Sequence, residues 1–423
     1  MSVLLFVVGI VVIVVGLAVS IAVHELGHLW PAKRFGVRVG QYMIGFGPTL
    51  WSRRIGETEY GFKLLPLGGY ISMAGMYPPS PRAGASGRAG GGFFATMVQD
   101  ARTANDETLD GDDDERVYYR LPVFKRVVVM LGGPVMNLLL AIVLFTIVFS
   151  GIGVQTATAT VASLSECVPS SASAACTSAD PAPPAQAAGF EPGDTIVSVD
   201  GTAVSDFSQI AAIVQASAGA TLSVVVERDG AQQTLTVTPA TVAADGAQIG
   251  FLGIRPTVEF VHQPIWSGTI MAIDNVGQVA GVIVQLPVKV WDTAVTLVTG
   301  GERDPDGPLS VVGVAGIAGE VAAADAPVLN RISATLGLLG SLNIALFVFN
   351  LIPLLPLDGG HVVVALWDGL RRGWAKLFRR PPPRPVDATK LVPVTFVVVV
   401  LLIAMGAVLI VADLINPVSI SGG

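Results

Sequence analysis

Apolar residues in this chain gather into long runs free of charge. A helix rises 1.5 Å per residue, so a bilayer core about 30 Å thick calls for about 20 consecutive apolar residues. Four stretches qualify, at 3–23, 127–154, 333–357 and 391–412. The first has no Lys or Arg ahead of it and is too long for the apolar region of a signal peptide, so it is predicted to stay as a span. Between the second and third runs the pattern changes to short β-type segments at 195–199, 221–227 and 233–238. Turn signals separate them, namely Pro192-Gly193-Asp194, Asp200-Gly201 and Asp229-Gly230. Residues 159–258 are therefore expected to form a small β-rich domain. Residues 263–300 place Asp274, Gln278, Gln285, Lys289 and Asp292 among apolar clusters. That pattern predicts an amphipathic helix at the outer membrane surface, or one packed on the spans.

Composition agrees with the pattern. Of 423 residues, 52% are hydrophobic and only 13% charged, against about a quarter charged in soluble domains. The net charge of −7 gives no basic surplus for nucleic acid. Two cysteines and four histidines exclude a zinc ribbon or a dense disulfide scaffold. Residues 30–126 carry 13 Lys and Arg, residues 371–390 carry 7, and the long stretch 151–333 only 5. Basic loops face the cytoplasm, which puts 151–333 and both termini outside. Cys167 and Cys176 then share an oxidising compartment and are candidates for a disulfide. Residues 78–116 run from Pro78 and Pro79 through Gly91 and Gly92 to the acids Asp106, Glu107, Asp110 and Asp112 to Glu115. This reads as a flexible acidic cytoplasmic insertion. Residues 371–390 read as a basic, proline-rich cytoplasmic linker suited to anionic lipid.

The chemistry-bearing residues sit in this apolar setting. The first run leads directly into His24-Glu25-Leu26-Gly27-His28. Histidines four apart on a helix share one face, where a single zinc can take both imidazoles, and the adjacent Glu25 is placed to act as general base. Ionisable groups at a membrane span are costly, which favours a functional reading. Catalytic zinc needs a third protein ligand. The third run ends in Asn350-Leu351-Ile352-Pro353-Leu354-Leu355-Pro356-Leu357-Asp358-Gly359-Gly360-His361. Pro353 and Pro356 break the helix there, and Asp358 is the carboxylate at that break, the best candidate for the third ligand. His361 is expected to support the site or pack a helix. His262, after the β domain, reads as a surface histidine.

With these motifs in place, the sequence resembles the site-2 protease family of intramembrane zinc metalloproteases, in particular the regulator of sigma-E protease branch. His24 to His28 matches the family's HExxH, and Asn350 to Gly359 its second motif. The resemblance implies one zinc ion on His24, His28 and Asp358, Glu25 as the catalytic residue, and Asn350 positioning the substrate or the oxyanion. Gly45-Phe46-Gly47-Pro48 through Pro66-Leu67-Gly68-Gly69-Tyr70 resembles the family's membrane-dipping β-hairpin. Gly132-Gly133-Pro134-Val135-Met136-Asn137 resembles its GPxxN segment, and residues 186–201 resemble a PDZ signature. One PDZ-like domain is found where the best-known enterobacterial relative has two.

The expected architecture is a polytopic α-helical membrane protein with four transmembrane helices, a membrane-dipping β-hairpin and an extracytoplasmic β-rich PDZ domain. Its expected divisions are a first span at 1–36, the hairpin at 37–77, the insertion at 78–116, the second span at 117–154 and the PDZ domain at 155–258. A linker at 259–332, the third span at 333–370, the basic linker at 371–390 and the fourth span with its tail at 391–423 complete the chain. The expected activity is cleavage of membrane segments of single-pass proteins in a bacterial plasma membrane. By resemblance, the substrate is an anti-sigma factor already shortened outside, or a remnant peptide. The alternatives are a PDZ scaffold that binds peptides without cutting them and, more weakly, a metal-ion transporter. The presence of both Glu25 and Asp358 favours the protease.

Overall fold

The computed structural model describes residues 2–78, 93–109, 115–169, 180–244, 247–301, 303–305, 307–381 and 383–418. In chain order the elements are α1 (Ser2–Arg34), β1 (Val39–Ile55), β2 (Thr58–Met73), α2 (Phe93–Asp106), α3 (Val123–Thr146), β3 (Val154–Leu164), α4 (Pro184–Ala187), β4 (Thr195–Val199), β5 (Thr202–Ala203) and α5 (Phe207–Ala216). They continue with β6 (Leu222–Arg228), β7 (Ala231–Val237), β8 (Ala240–Ala244), β9 (Ala247–Phe251), β10 (Ile254–Val261), α6 (Ser267–Thr299), α7 (Val311–Ala323), α8 (Val328–Asn350), α9 (Asp358–Leu377) and α10 (Val392–Ile415). They fall into two units. One is helical, Met1–Val148 with Ile265–Gly423. The other is β-rich, Phe149–Pro264.

Among the described residues, five helices are long and apolar enough to cross a membrane, one more than the charge-free runs suggest. The additional one is α6, expected either as an amphipathic helix at the outer surface or as a helix packed on the spans. Asp274, Lys289 and Asp292 interrupt its apolar run, which leaves it the least apolar of the five. It packs along α3, α8 and α10. The 333–357 run also divides. The helix stops at Asn350, residues 351–357 form turns, and Asp358 opens a new helix rather than closing the old one. Within the expected insertion, residues 93–106 form α2, anchored where Arg102 pairs with Asp387 at 2.7 Å. The acids 110–114 lie outside the described residues.

Close packing of small residues joins the helices. In lipid there is no hydrophobic drive between helices, so small side chains that let backbones meet are favoured. Helix α1 meets α3 at Gly27 and Gly132, where a Cβ on either would strike the other's carbonyl. Gly340 of α8 lies against the Phe145 ring of α3, and Gly319 of α7 against the Phe6 ring of α1. Two buried ion pairs add polar ties. Arg126 of α3 reaches Asp368 of α9 at 2.6 Å, with Asp368 fully buried and also paired with Arg372. Arg303 reaches Asp413 of α10 at 2.5 Å, and the same carboxylate accepts the backbone N–H groups of Ser310 and Gly313 at the start of α7.

Strands β1 and β2 pair antiparallel with several register shifts. Segment 41–44 pairs with 59–62 on one side and 69–72 on the other, while residues 51–55 pair back onto 58–62. The hairpin therefore has four short rows, and residues 69–73 form an edge paired on one side only among the described residues.

In the β-rich unit the sheet order is β10-β3-β4-β6-β7, with β5 beside β4 and β8–β9 as a separate hairpin. Ile196, Val199, Ile210, Val224 and Val226 fill its core. The expected strands appear within a residue or two. Asp229 and Gly230 hold φ of 51° and 78°, the left-handed pair that a tight two-residue hairpin requires. Asp206 caps α5 by accepting from the Gln209 N–H. Asp194, of the predicted turn, is fully buried and takes a two-pronged bond from Arg228 at 2.6 and 2.7 Å. Burial works to raise its carboxyl, but the Arg228 bonds and the Glu191 N–H hold it below its usual value. Cys167 is buried; Cys176 lies outside the described residues.

Asp194 is the buried acceptor for both Arg228 and the Glu191 N–H, and without it Arg228 keeps as ion-pair partner only the exposed Glu191 at 3.0 Å. Asp194→Ala should therefore lower the stability of this unit, read as a lower midpoint of thermal unfolding at neutral pH. Because the folded state lowers the Asp194 pKa, its contribution is full above the ordinary aspartate range and is lost as pH falls below it. The wild-type and Asp194→Ala unfolding curves should accordingly converge in acid; a gap independent of pH would contradict this role.

Candidate metal centre

The centre begins with the crossing of α1 and α3. Gly27 and Gly132 bring the two backbones together, and that contact aims the next residue, Gly133, at the His24–His28 face. A Cβ on Gly133 would lie 2.8 Å from His24 Nε2 and closer still to His28 Nε2. The imidazoles thus occupy space that only a glycine leaves free. His28 Nδ1–H donates to the Val129 carbonyl at 2.8 Å. A carbonyl only accepts, so this bond fixes the tautomer and leaves Nε2 free as a metal donor.

The third corner comes from α9. The turns at 351–357 fold back onto its start, where Gly359 and Gly360 admit the backbones of Leu351, Ile352, Leu354 and Leu355. Asp358 stands in the first turn of α9, where the helix dipole favours an anion. Its Oδ2 lies 3.3 Å from His24 Nε2 and 3.4 Å from His28 Nε2, and the two Nε2 atoms are 3.2 Å apart. Zinc bonds of about 2.0–2.1 Å in a tetrahedron require donors about 3.4 Å apart. The three donors form a triangle of that size, and among the described residues His24, His28 and Asp358 are the group able to hold a metal ion. The donor set fits zinc.

Glu25 is 8% exposed and sits beside the ligands on α1. The hairpin covers it. A Cβ at Gly69 would lie 2.9 Å from Glu25 Cγ, and Tyr42 Oη donates to the Ala22 carbonyl at 2.7 Å, tying β1 to α1. The edge rows 69–73 therefore begin next to the glutamate.

The remaining sequence candidates fall elsewhere. Asn350 ends α8 and its Nδ2 donates to the Leu346 carbonyl at 3.0 Å, so in this structure its amide bonds within its own helix. The His361 ring lies 6.4 Å from the Tyr77 ring, a packing position one turn along α9 from Asp358. His262 is exposed, with Nδ1 donating to the Ser150 carbonyl at 3.1 Å. Two features escaped the sequence reading. Asn137, one turn beyond Gly133, is fully buried with neither amide atom hydrogen-bonded. The GPxxN match drew attention to its position but gave no sign of its burial. Gly133 faces both imidazoles, which its place after Gly132 does not reveal without the helix crossing.

Residues 12–381 match the model of peptidase family M50. The chain belongs to peptidase family M50. It is 35% identical to zinc metalloprotease Rip1 of Mycobacterium tuberculosis over 98% of this chain and 99% of that one. It is 33% identical to zinc metalloprotease Rip1 of Mycolicibacterium smegmatis over 99% and 100%. Metalloprotease MmpA of Caulobacter vibrioides is 29% identical over 84% and 85%. As an M50 peptidase of the site-2 protease type, the chain is a multi-pass membrane zinc metalloendopeptidase.

Gly133→Ala should push a methyl group onto both imidazoles. The expected outcome is at least a tenfold loss of zinc affinity, the range seen when support of a metal ligand is disturbed, read by metal analysis of purified protein. Full zinc retention would show that the ligands do not need this glycine.

Proposed function

We propose that this M50 peptidase cuts single-pass membrane proteins within or beside their membrane segment, with His24, His28 and Asp358 as the zinc ligands and Glu25 as the catalytic acid–base. The observation that carries this reading is the 3.2–3.4 Å donor triangle with a buried glutamate beside it. When bound, zinc supplies Lewis-acid polarisation of the scissile carbonyl. Glu25 takes the proton of the attacking water and passes it to the leaving amine. Its apolar cover under Gly69 limits access to bulk water. The turns at 351–357 interrupt regular helix next to Asp358, irregular backbone of the kind tolerated at membrane depth where it lines a cavity.

A helical substrate hides its peptide bonds and must be extended before cleavage. The 69–73 edge offers unpaired backbone groups next to Glu25, so strand addition there extends the substrate and fixes its register. Asn350 is placed one loop from Asp358 and holds the substrate backbone or the developing oxyanion once it releases the Leu346 carbonyl. The β-rich unit at 155–258 acts as a PDZ domain on the outer face; with α6 packed on the spans without crossing, the four remaining crossings put both termini on that side, as the distribution of basic loops supports. It admits substrates already shortened outside, of which a bacterial anti-sigma factor is the class proposed.

Glu25→Ala should lower cleavage of a model single-pass substrate at least about 100-fold while retaining zinc. Cleavage at the wild-type rate would refute the role of Glu25, and loss of zinc would make Glu25 part of the ligand set instead.

A further inference from the structure

Helix α9 carries a surface that the metal centre does not use. Asp368 marks its inner side, fully buried against Arg126. On the opposite side Val363, Trp367, Leu370, Trp374 and Leu377 are all exposed. Their spacing of four, three, four and three residues is one helical stripe. Nothing else in the described residues covers it. Beyond Asp368, the sequence places Arg371, Arg372, Lys376, Arg379, Arg380 and Arg384 before the next acid, Asp387. Arg372 pairs with Asp368; Arg371 and Arg380 have no ion-pair partner among the described residues. These two arginines border a concave site of about 510 Å³ whose other walls include Trp367, Leu370, Trp374 and Pro383.

An apolar stripe with tryptophans and a row of cations at its rim is the composition of a helix lying in the membrane interface. The ligand must satisfy both parts. A soluble anion would meet the guanidinium groups but gain nothing from the tryptophan wall. A zwitterionic lipid such as phosphatidylcholine would meet the wall and offer a phosphate, but its choline cation would sit among the same arginines and leave their net positive charge unbalanced. An anionic phospholipid meets both, with its phosphate at Arg371 and Arg380 and its chain along Trp367 and Trp374.

We propose that α9 is an interfacial helix whose groove binds an anionic phospholipid, and that this contact fixes the position of Asp358. The coupling follows from rigidity. Asp358 stands in the first turn of the same helix, and the Arg126–Asp368 pair pins the helix midway between Asp358 and the groove. This second half rests on the zinc-ligand reading above; the first half does not.

The test uses the full chain in nanodiscs of phosphatidylcholine doped with brominated phosphatidylglycerol or brominated phosphatidylcholine at equal fraction. Bromine quenches tryptophan on contact. The brominated anionic lipid should quench more strongly, and the excess should vanish in Trp367→Phe/Trp374→Phe. In Arg371→Gln/Arg380→Gln the preference should fall by at least about fivefold, the value of one surface cation near anionic lipid. Arg371→Lys/Arg380→Lys should restore part of it and guards against misfolding. Equal quenching by both lipids, an undiminished preference in the glutamine variant, or loss of the preference on adding inorganic phosphate would each overturn the lipid site. Zinc retention against a chelator tests the coupling. It should be greater in the anionic discs for wild type and equal in both disc types for the glutamine variant; equal retention in wild type would overturn the coupling alone. Absence of proteolysis with the lipid preference intact would count against the protease reading and leave the lipid site standing.

Discussion

The site depends on the contact between α1 and α3 at Gly27 and Gly132. A larger side chain at either position would force the helices apart, because each Cβ would meet a backbone carbonyl, which has little room to move. The same contact turns Gly133 toward His24 and His28 and lets the Val129 carbonyl reach His28 Nδ1. The donor spacing therefore follows from backbone approach, and backbone approach follows from the absence of side chains. In a bilayer this is the economical way to bring helices together, since the surrounding lipid is as apolar as any leucine.

Much of this was legible in the residues. The first span, the His24–His28 spacing with Glu25, and Asp358 after Pro353 and Pro356 all followed from local pattern, because each depends on chemistry within one turn or one loop. The strands of the β-rich unit were legible for the same reason, with Asp229-Gly230 and Pro192-Gly193-Asp194 marking turns between alternating runs. What sequence missed depends on partners far along the chain. Arg126 and Asp368 each look like surface residues until they meet. Asp413 near the end of α10 looks like the close of a span, yet it accepts from Arg303 and from the start of α7. Helix α6 was seen as amphipathic because scattered charges broke its apolar run, while its full length was hidden by the same charges. Helix α9 was read as part of a span and a linker because its apolar and basic residues are interleaved at helical spacing.

The apolar surroundings serve the chemistry as well as the anchoring. Charges in such a setting are expensive unless paired, and the helical unit pairs most of those it buries: Arg126 with Asp368, Arg303 with Asp413. The donor triangle is the exception: His24 Nε2, His28 Nε2 and Asp358 Oδ2 face one another at 3.2–3.4 Å, and Asp358 Oδ2 lacks a hydrogen bond. A divalent cation fits that arrangement. The hairpin completes the enclosure by laying Gly69 on Glu25, so that the extended edge and the buried carboxyl meet at one place.

The central claim is the ligand set. X-ray absorption at the zinc edge of the purified full chain reads it without relying on activity. Four light-atom neighbours at about 2.0–2.1 Å are expected, with the multiple-scattering signature of two imidazoles. A third imidazole would bring His361 or His262 into the site, a single one would remove His24 or His28, and either result would overturn the ligand set of His24, His28 and Asp358.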